Sequence, residues 1–232
     1  MIYRDWPHSL TPEVEVAAVE LPGRWGRMKE APFRRLEPLL DALAQAITAL
    51  PSCELAFFGH SMGALIAFEL ARELRRKGGP QPQHLFVSGR PAPQLPQTDP
   101  VTFDLPEADF IREIHKLNGT PKEVMEHEEL MELMIPVIRA DFELIQTYEY
   151  HHEEPLECPI SAYGGLEDSE VPRAELAQWK NQTSSGFALH MLPGDHFFLR
   201  SARNELLGLI SAELGTASRR RSSSCSEALT IE

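Results

Sequence analysis

The sequence predicts an α/β fold in which a mostly parallel sheet carries helices on both of its faces. Short apolar runs of strand length alternate along the chain with longer stretches of helical periodicity, a pattern typical of such folds. The 232-residue chain is 42% hydrophobic, so it can bury a core without disulfides or bound metal. One α/β domain of this size is therefore expected.

The predicted strands are five apolar runs at residues 14–21, 55–58, 84–88, 160–163 and 187–192. Turn-forming pairs follow the first, fourth and fifth runs, namely Pro22-Gly23, Gly164-Gly165 and Pro193-Gly194. Helical periodicity is found between and after the runs, at residues 36–50, 64–77, 174–180 and 203–214. The pair Gly78-Gly79 supplies a stop signal for the second of these helices.

Residues 106–150 break this alternation, because they are acidic and helical and contain no clear strand. An insertion of this length between two sheet strands is interpreted as a helical lid, and an ordinary pair of surface helices is the alternative. The predicted domain covers residues 1–215. Residues 216–232 are rich in serine and arginine with few large apolar groups, so we expect a disordered tail.

Composition also limits the partners and the compartment. The net charge of −13 makes nucleic acid and anionic membranes poor partners. The three cysteines, Cys53, Cys158 and Cys225, are odd in number and widely spaced, which favours free thiols in the cytoplasm over a disulfide framework or a zinc site. No signal peptide and no membrane span is predicted, and no nicotinamide, pyridoxal phosphate or metal motif is found, so no cofactor is expected.

The strongest chemical signal is the segment Gly59-His60-Ser61-Met62-Gly63. It fits the G-x-S-x-G nucleophile elbow, and it lies between a predicted buried strand and an amphipathic helix, as that motif requires. The glycines let strand and helix approach closely, which exposes the Ser61 hydroxyl above the sheet. The backbone N–H of Met62 then points at a developing oxyanion. This context predicts the α/β-hydrolase fold, with Ser61 as its nucleophile.

A serine nucleophile needs a base, and His196 is the candidate. It lies on the turn after the last predicted strand, where the base of this fold belongs. His151 and His152 lie in an acidic, exposed-looking stretch, while His84 and His190 fall within or at strand patterns. His60 precedes the nucleophile and is expected to line the pocket rather than act as the base.

Asp168 is the candidate acid, because it follows Gly164-Gly165 in the loop after the fourth predicted strand. Glu167, one residue away, is the rival. Asp195 is adjacent to His196 in sequence, and neighbours cannot easily form the in-plane bond to the imidazole Nδ1 that the acid makes.

Three segments of the sequence resemble a known family. FFGHSMGALIAFELARELRRKG, YGGLEDSEVPRAELAQWKNQT and LPGDHFFL resemble the type II thioesterases, the stand-alone editing enzymes of nonribosomal peptide and polyketide synthesis, which are related to the medium-chain fatty acyl thioesterase. LPGR at 21–24 and IPVIRADFELIQTYEY at 135–150 fit the same family, so the resemblance runs from about Trp6 to Leu214. It implies Ser61 as nucleophile, Asp168 as acid and His196 as base.

The resemblance also implies a substrate and a partner: an acyl or aminoacyl group on the phosphopantetheine arm of a carrier protein, with the lid shaping the acyl pocket and no cofactor. Family members begin with a hydrophobic strand and a Pro/Gly-rich loop before the helix that contains the counterpart of Trp6. Met1 lies inside that helix, so this strand, expected between residues 14–21 and 55–58, is missing together with the loop that gives the second oxyanion N–H. A truncated sequence and a crippled paralogue both explain the departure.

Three functions therefore remain open. The first is the editing thioesterase. The second is a catalytically impaired paralogue that still binds carrier proteins, which the missing oxyanion loop motivates. The third is a carboxylesterase on the same fold, because such an enzyme would share the triad of Ser61, Asp168 and His196.

Overall fold

The structure is a computed structural model that describes residues 2–97, 100–116 and 128–226. Within these ranges a single four-stranded sheet has the order β1-β2-β3-β4, and every neighbouring pair is parallel. The strands are β1 (Ala56–His60), β2 (His84–Ser88), β3 (Ile160–Gly165) and β4 (Phe187–Leu192). The parallel sheet predicted from the apolar runs is confirmed.

The helices that surround the sheet are α1 (Leu36–Thr48), α2 (Met62–Arg76), α3 (Glu107–Lys116), α4 (Glu128–Gln146), α5 (Arg173–Leu176), α6 (Phe198–Ser201) and α7 (Arg203–Ser226). Short 3-10 turns occur at Trp6–His8, Trp25–Arg27 and Ala177–Gln182. The four helices predicted outside the lid region are all present, the third as a short α-helix continued by a 3-10 turn. No helix of the described residues is long and apolar enough to cross a membrane.

The strand predicted at residues 14–21 is wrong. Those residues have no regular secondary structure, and the side chain of Val19 is 61% exposed. Among the described residues, β2 is the sole strand that pairs with β1, so residues 14–21 form no ladder with the sheet. A chain segment becomes a strand when a neighbour exchanges backbone hydrogen bonds with it, and apolar alternation does not supply that neighbour.

Side-chain alternation along the strands builds a core on each face of the sheet. On one face, Leu85 and Val87 pack in a buried cluster with Phe68 of α2 and with Trp179. On the other face, Phe86 belongs to a buried cluster that also contains the α7 side chains Leu206, Leu207 and Ile210. Helices therefore cover both faces, as the sequence predicts, and the carboxyl ends of the strands stay free for a site.

A polar cluster joins α7 to the sheet beneath it. Glu213 Oε2 accepts hydrogen bonds from Ser161 Oγ at 2.6 Å and Tyr163 OH at 3.2 Å, while Glu213 Oε1 lies 2.9 Å from His190 Nε2. His84 Nε2 lies 2.9 Å from Ser161 Oγ. His84 and His190 are thus satisfied structural residues, since buried polar groups need such partners.

The insertion predicted at residues 106–150 contains α3 and α4, and residues 117–127 between them lie outside the described residues. The two helices share a buried apolar cluster, composed of Phe110, Ile114, Met131 and Ile135. The guanidinium of Arg139 lies 4.2 Å from the centre of the Phe110 ring, so its charge faces the aromatic face. The described part of the segment is largely helical, as predicted, and its function as a lid stays a prediction.

Helix α7 continues to Ser226, beyond the predicted end at residue 214 and into the predicted tail. Residues 216–226 contain neither glycine nor proline, so no helix breaker stops the backbone there. Residues 227–232 of the tail lie outside the described residues. The domain boundary at residue 215 stays a prediction.

Candidate active site

The candidate residues follow three different strands of the parallel sheet. Ser61 comes directly after β1, Asp168 follows β3 and His196 follows β4. Because all four strands run in the same direction, their carboxyl ends lie at one edge of the sheet. Residues from distant parts of the sequence therefore meet at that edge.

Ser61 occupies a strained turn between β1 and α2. Its backbone has φ 52° and ψ −115°, a conformation that L-residues rarely adopt. A hydrogen bond of 2.8 Å from the Ser61 N–H to the Ser88 carbonyl ties this turn to the end of β2. Met62 is the first residue of α2, so its N–H is one of the free donors at the helix N-terminus.

Gly59 and Gly63 explain how this turn fits between the strand and the helix. A Cβ atom on Gly59 would lie 2.0 Å from the carbonyl oxygen of Gly63, which is far inside van der Waals contact. A Cβ atom on Gly63 would meet nothing within 4 Å. The close approach therefore requires glycine at the first position of the motif, while the space at the second is open.

This difference predicts opposite outcomes for two alanine substitutions. Gly59→Ala is expected to lower the free energy of unfolding by about 3 kcal/mol or more, because the clash is with backbone that cannot move aside. Gly63→Ala, its matched control, should change that free energy by less than about 1 kcal/mol. Urea unfolding of both variants measures the difference, and equal values would contradict the role given to Gly59.

Asp168 and His196 form a partly buried hydrogen-bonded pair. The His196 Nδ1 atom lies 2.9 Å from Asp168 Oδ2, and the side chains are 12% and 0% exposed respectively. The backbone N–H groups of Glu170 and Val171 donate to Asp168 Oδ1 at 2.9 and 3.2 Å. With both oxygens engaged, the carboxylate is held in one orientation and fixes the plane of the imidazole.

The pair also shifts the titration of both groups. Burial opposes the charged form of His196, but the hydrogen bond and the charge of Asp168 outweigh it and raise the pKa of His196 above its ordinary value of 6.5. Burial likewise acts against the charged carboxylate, yet the bond from His196 and the backbone donors lower the pKa of Asp168 below 3.8. The carboxylate therefore stays ionised beside an imidazole of increased basicity.

The rival acids are engaged elsewhere. The carboxylate of Glu167 accepts a hydrogen bond from the Gly194 N–H across the two loops. Asp195 Oδ1 accepts the Phe197 N–H at 2.8 Å within its own turn. Both therefore stabilise the loop that carries His196, whereas Asp168 contacts its ring.

His60, Ser88 and Gly89 form a wall behind His196. The His60 Nδ1 lies 3.0 Å from Ser88 Oγ, and the centroids of the His60 and His196 rings are 4.9 Å apart. Gly89 has φ +57°, and a Cβ atom there would lie 2.6 Å from His60 Cε1 and 3.3 Å from His196 Cε1. Glycine at this position leaves the space that both rings occupy.

Burial, followed by the charge on His196, lowers the pKa of His60 to about 3. His60 therefore remains neutral beside His196 and adds no second titrating imidazole near neutral pH. The sequence prediction that His60 lines the pocket agrees with this arrangement, but Ser88 and Gly89 were missed. Their position at the carboxyl end of β2, at the same edge of the sheet, was the available signal.

Two further histidines and the possible metal ligands were also considered in the sequence. His151 and His152 are exposed, as their acidic surroundings predicted. In the part of the chain that the structure describes, no group of three or more His, Cys, Asp or Glu side chains could hold a metal ion. No hydrogen bond joins Ser61 Oγ to His196 within those residues, and such contacts often form only when substrate is bound.

Comparison with known proteins gives a consistent result. The model of the thioesterase domain family matches residues 1–214. The gramicidin S biosynthesis protein GrsT of Aneurinibacillus migulanus is 43% identical over 212 residues, which are 91% of this chain and 83% of that protein.

Solved structures agree with the sequence comparison. RedJ, a thioesterase from the prodiginine biosynthetic pathway of Streptomyces coelicolor, is 36% identical with a TM-score of 0.83, over 91% of this chain and 84% of that chain. The type II thioesterase BorB from the borrelidin biosynthetic cluster is 36% identical with a TM-score of 0.81, over 91% of this chain and 86% of that chain.

Proposed function

The chain belongs to the thioesterase domain family, among the type II thioesterases, and from this premise we propose that it hydrolyses acyl or aminoacyl thioesters on the phosphopantetheine arm of carrier proteins. The observation that carries the proposal is the hydrogen bond between Asp168 and His196, at the edge of the sheet where the strained Ser61 turn lies. A serine, an imidazole and a carboxylate in this order along the chain support covalent catalysis of acyl transfer.

In the first half-reaction, Ser61 Oγ attacks the thioester carbonyl carbon while His196 Nε2 takes the hydroxyl proton. Asp168, bonded to His196 Nδ1, stabilises the imidazolium that results. Collapse of the tetrahedral intermediate breaks the carbon–sulfur bond, and the imidazolium gives its proton to the departing thiol. An acyl ester on Ser61 and a free phosphopantetheine thiol remain.

The second half-reaction transfers the acyl group to water. His196 removes a proton from a water molecule, which attacks the ester carbonyl of the acyl-enzyme, and the same proton returns to Ser61 Oγ as the acid departs. In both halves, the N–H of Met62 at the N-terminus of α2 would donate to the oxyanion, where the helix dipole also favours negative charge.

Helices α3 and α4 are proposed to form the lid over the acyl pocket. Their shared apolar cluster gives the segment a core of its own, and three ion pairs tie α4 to the loop before α1. Arg24 pairs with Asp141, and Arg34 and Arg35 both pair with Glu143. The free thiols of exposed Cys53 and buried Cys158 accord with a reducing cytoplasm, the compartment that we propose.

Matched substrates test the proposed reaction. The purified protein is expected to hydrolyse an acyl-pantetheine thioester with a higher kcat/KM than the oxygen ester with the same acyl chain. Release of the thiol, followed with a disulfide dye, measures the first rate, and proton release measures the second. Faster turnover of the oxygen ester would favour a carboxylesterase, and the absence of turnover on both would favour a carrier-binding paralogue.

A further inference from the structure

The turn at residues 22–30 presents large apolar side chains to solvent. Trp25 is 65% exposed and Met28 is 53% exposed. Trp25 also has a backbone φ of 44°, and among the described residues it shares a positive φ with Ser61 alone of the non-glycine residues. Trp25 gains no burial from this strained backbone conformation. The fold therefore retains a strained dihedral angle and an exposed apolar side chain at the same position.

Hydrogen bonds to α4 and to Glu20 hold the turn in place. Arg24 donates to both carboxylate oxygens of Asp141 on α4. Glu20 Oε1 accepts the Gly26 N–H at 2.7 Å, and the Glu20 carbonyl accepts Arg27 Nη1 at 2.9 Å. These contacts hold the backbone on both sides of Trp25, which lowers the backbone entropy lost when a partner covers the turn.

The turn lies between the nucleophile and the helical insertion. Leu21 and Phe33, on either side of it, pack against the apolar cluster that Met62 also contacts. The space beside Gly23 is bounded by Val137 of α4, which a Cβ atom would approach to 3.2 Å. The turn therefore lies against α4, and the residues on either side of it share an apolar cluster with Met62, the residue after Ser61.

The charge of this region differs from that of the whole chain. Five cations, namely Arg24, Arg27, Lys29, Arg34 and Arg35, lie within twelve residues of a protein whose net charge is −13. Arg34 and Arg35 share the one carboxylate of Glu143, and Lys29 is exposed and makes no ion pair within the described ranges. Arg24 and Arg27 are paired with Asp141 and Glu30, so the positive surplus comes from Lys29 and from the two arginines that share Glu143. Such a surplus attracts an anionic partner.

We propose that the turn at residues 22–30 is the surface on which the carrier protein docks, with Trp25 and Met28 covered by the carrier and Lys29 beside the root of its arm. This inference rests on the proposed function. The phosphopantetheine arm is joined to its carrier by a phosphodiester, which is anionic. When the thioester reaches Ser61, the phosphodiester stays on the carrier side of the arm, and in this proposal it pairs with Lys29.

Two variants test the surface against two substrates. Trp25→Gly removes the ring and suits the left-handed backbone, so the turn should keep its shape. Lys29→Glu reverses the charge at a side chain without a structural ion pair. Leu50→Ala is the matched control, since Leu50 is 47% exposed after the carboxyl end of α1, near the carboxyl end of α2 and away from Ser61.

With an acylated carrier protein, Trp25→Gly and Lys29→Glu should each lower kcat/KM by about tenfold, while Leu50→Ala leaves it within about twofold. With an acyl-pantetheine thioester that lacks the carrier, all three should stay within about twofold of the original protein. Added salt should weaken the carrier-dependent rate of the original protein more than that of Lys29→Glu.

Equal rates for all variants on the carrier substrate would overturn the docking surface and leave the proposed function intact. Equal losses on both substrates would also overturn it, since they would show damage to the catalytic site. If the original protein hydrolyses neither thioester, the proposed function fails, and calorimetric titration with the carrier protein then decides the docking surface. In that titration an unchanged affinity in Trp25→Gly contradicts it, and an affinity about tenfold weaker supports it.

Discussion

Ser61→Ala is expected to lower kcat for thioester hydrolysis by on the order of 10⁶-fold, the loss seen when a serine hydrolase loses its nucleophile. The turn that carries Ser61 is strained, and the hydroxyl stands at the N-terminus of α2. Alanine retains that backbone and removes the sole atom that can form the acyl ester. Single-turnover kinetics with an acyl-pantetheine thioester measure the effect, because they separate acylation from product release.

Ser52→Ala is the control for this experiment, since Ser52 is an exposed serine that precedes the other end of β1. Its kcat should stay within about twofold of the original value, as for most surface changes. An acyl group trapped on the original protein but not on Ser61→Ala would identify the site by mass. If Ser61→Ala retains full turnover, the nucleophile lies elsewhere and the proposed mechanism is wrong.

Asp168→Asn is expected to lower kcat by about 10⁴-fold, as the equivalent change does in a serine protease with the same pairing. The amide has the shape of the carboxylate, so the fold should remain while the charge beside His196 is lost. Asp168 meets the ring at 2.9 Å and is itself held by two backbone N–H groups. An amide in this place favours the wrong tautomer of the imidazole.

The pH dependence of the reaction supplies an independent readout. His196 acts as a base only when neutral, and Asp168 raises its pKa above 6.5. The kcat/KM of the original protein should therefore fall as the pH drops through a pKa above that value. Without the carboxylate the imidazole is less basic, so the acid limb of the Asp168→Asn profile should move to lower pH.

Glu167→Gln controls for the loss of a carboxylate one residue away. Glu167 bonds the Gly194 N–H rather than the imidazole, so its amide variant should retain kcat within about tenfold and keep the original acid limb. If kcat falls more in Glu167→Gln than in Asp168→Asn, Glu167 rather than Asp168 is the acid of the triad. If the acid limb of Asp168→Asn does not move, the hydrogen bond between Asp168 and His196 does not set the pH dependence of catalysis.

Local sequence patterns were sufficient to predict most of the helices and strands. The run that contains Phe58, the helix that follows Ser61 and the stop at Gly78-Gly79 each depend on the preferences of neighbouring residues. The strand predicted at residues 14–21 was wrong because strand formation also depends on contacts that are distant in sequence. Its alternation matches a strand, but pairing depends on a hydrogen-bonding neighbour, and that is a property of the assembled sheet.

In the candidate site, too, some features could be predicted from the sequence and others depended on the tertiary structure. Ser61, His196 and Asp168 were selected because each follows a predicted strand, and parallel strands bring their carboxyl ends together. The choice of Asp168 over Glu167 depended on one residue of register within a loop, which sequence patterns resolve poorly. His60 was expected to line the pocket because it precedes Ser61, whereas Ser88 and Gly89 belong to no motif and were not selected.

The sequence by itself determined the four strands from β1 to β4, the glycine-flanked serine turn and the excess of acidic charge, because these depend on composition and on neighbours along the chain. Tertiary structure alone decided that the Asp168 carboxylate meets the His196 ring, 28 residues away, that burial holds His60 neutral, and that Trp25 stays exposed. Hydrogen bonding, burial and exposure of a side chain depend on the packing of distant segments, so they are settled when the sheet and its helices assemble.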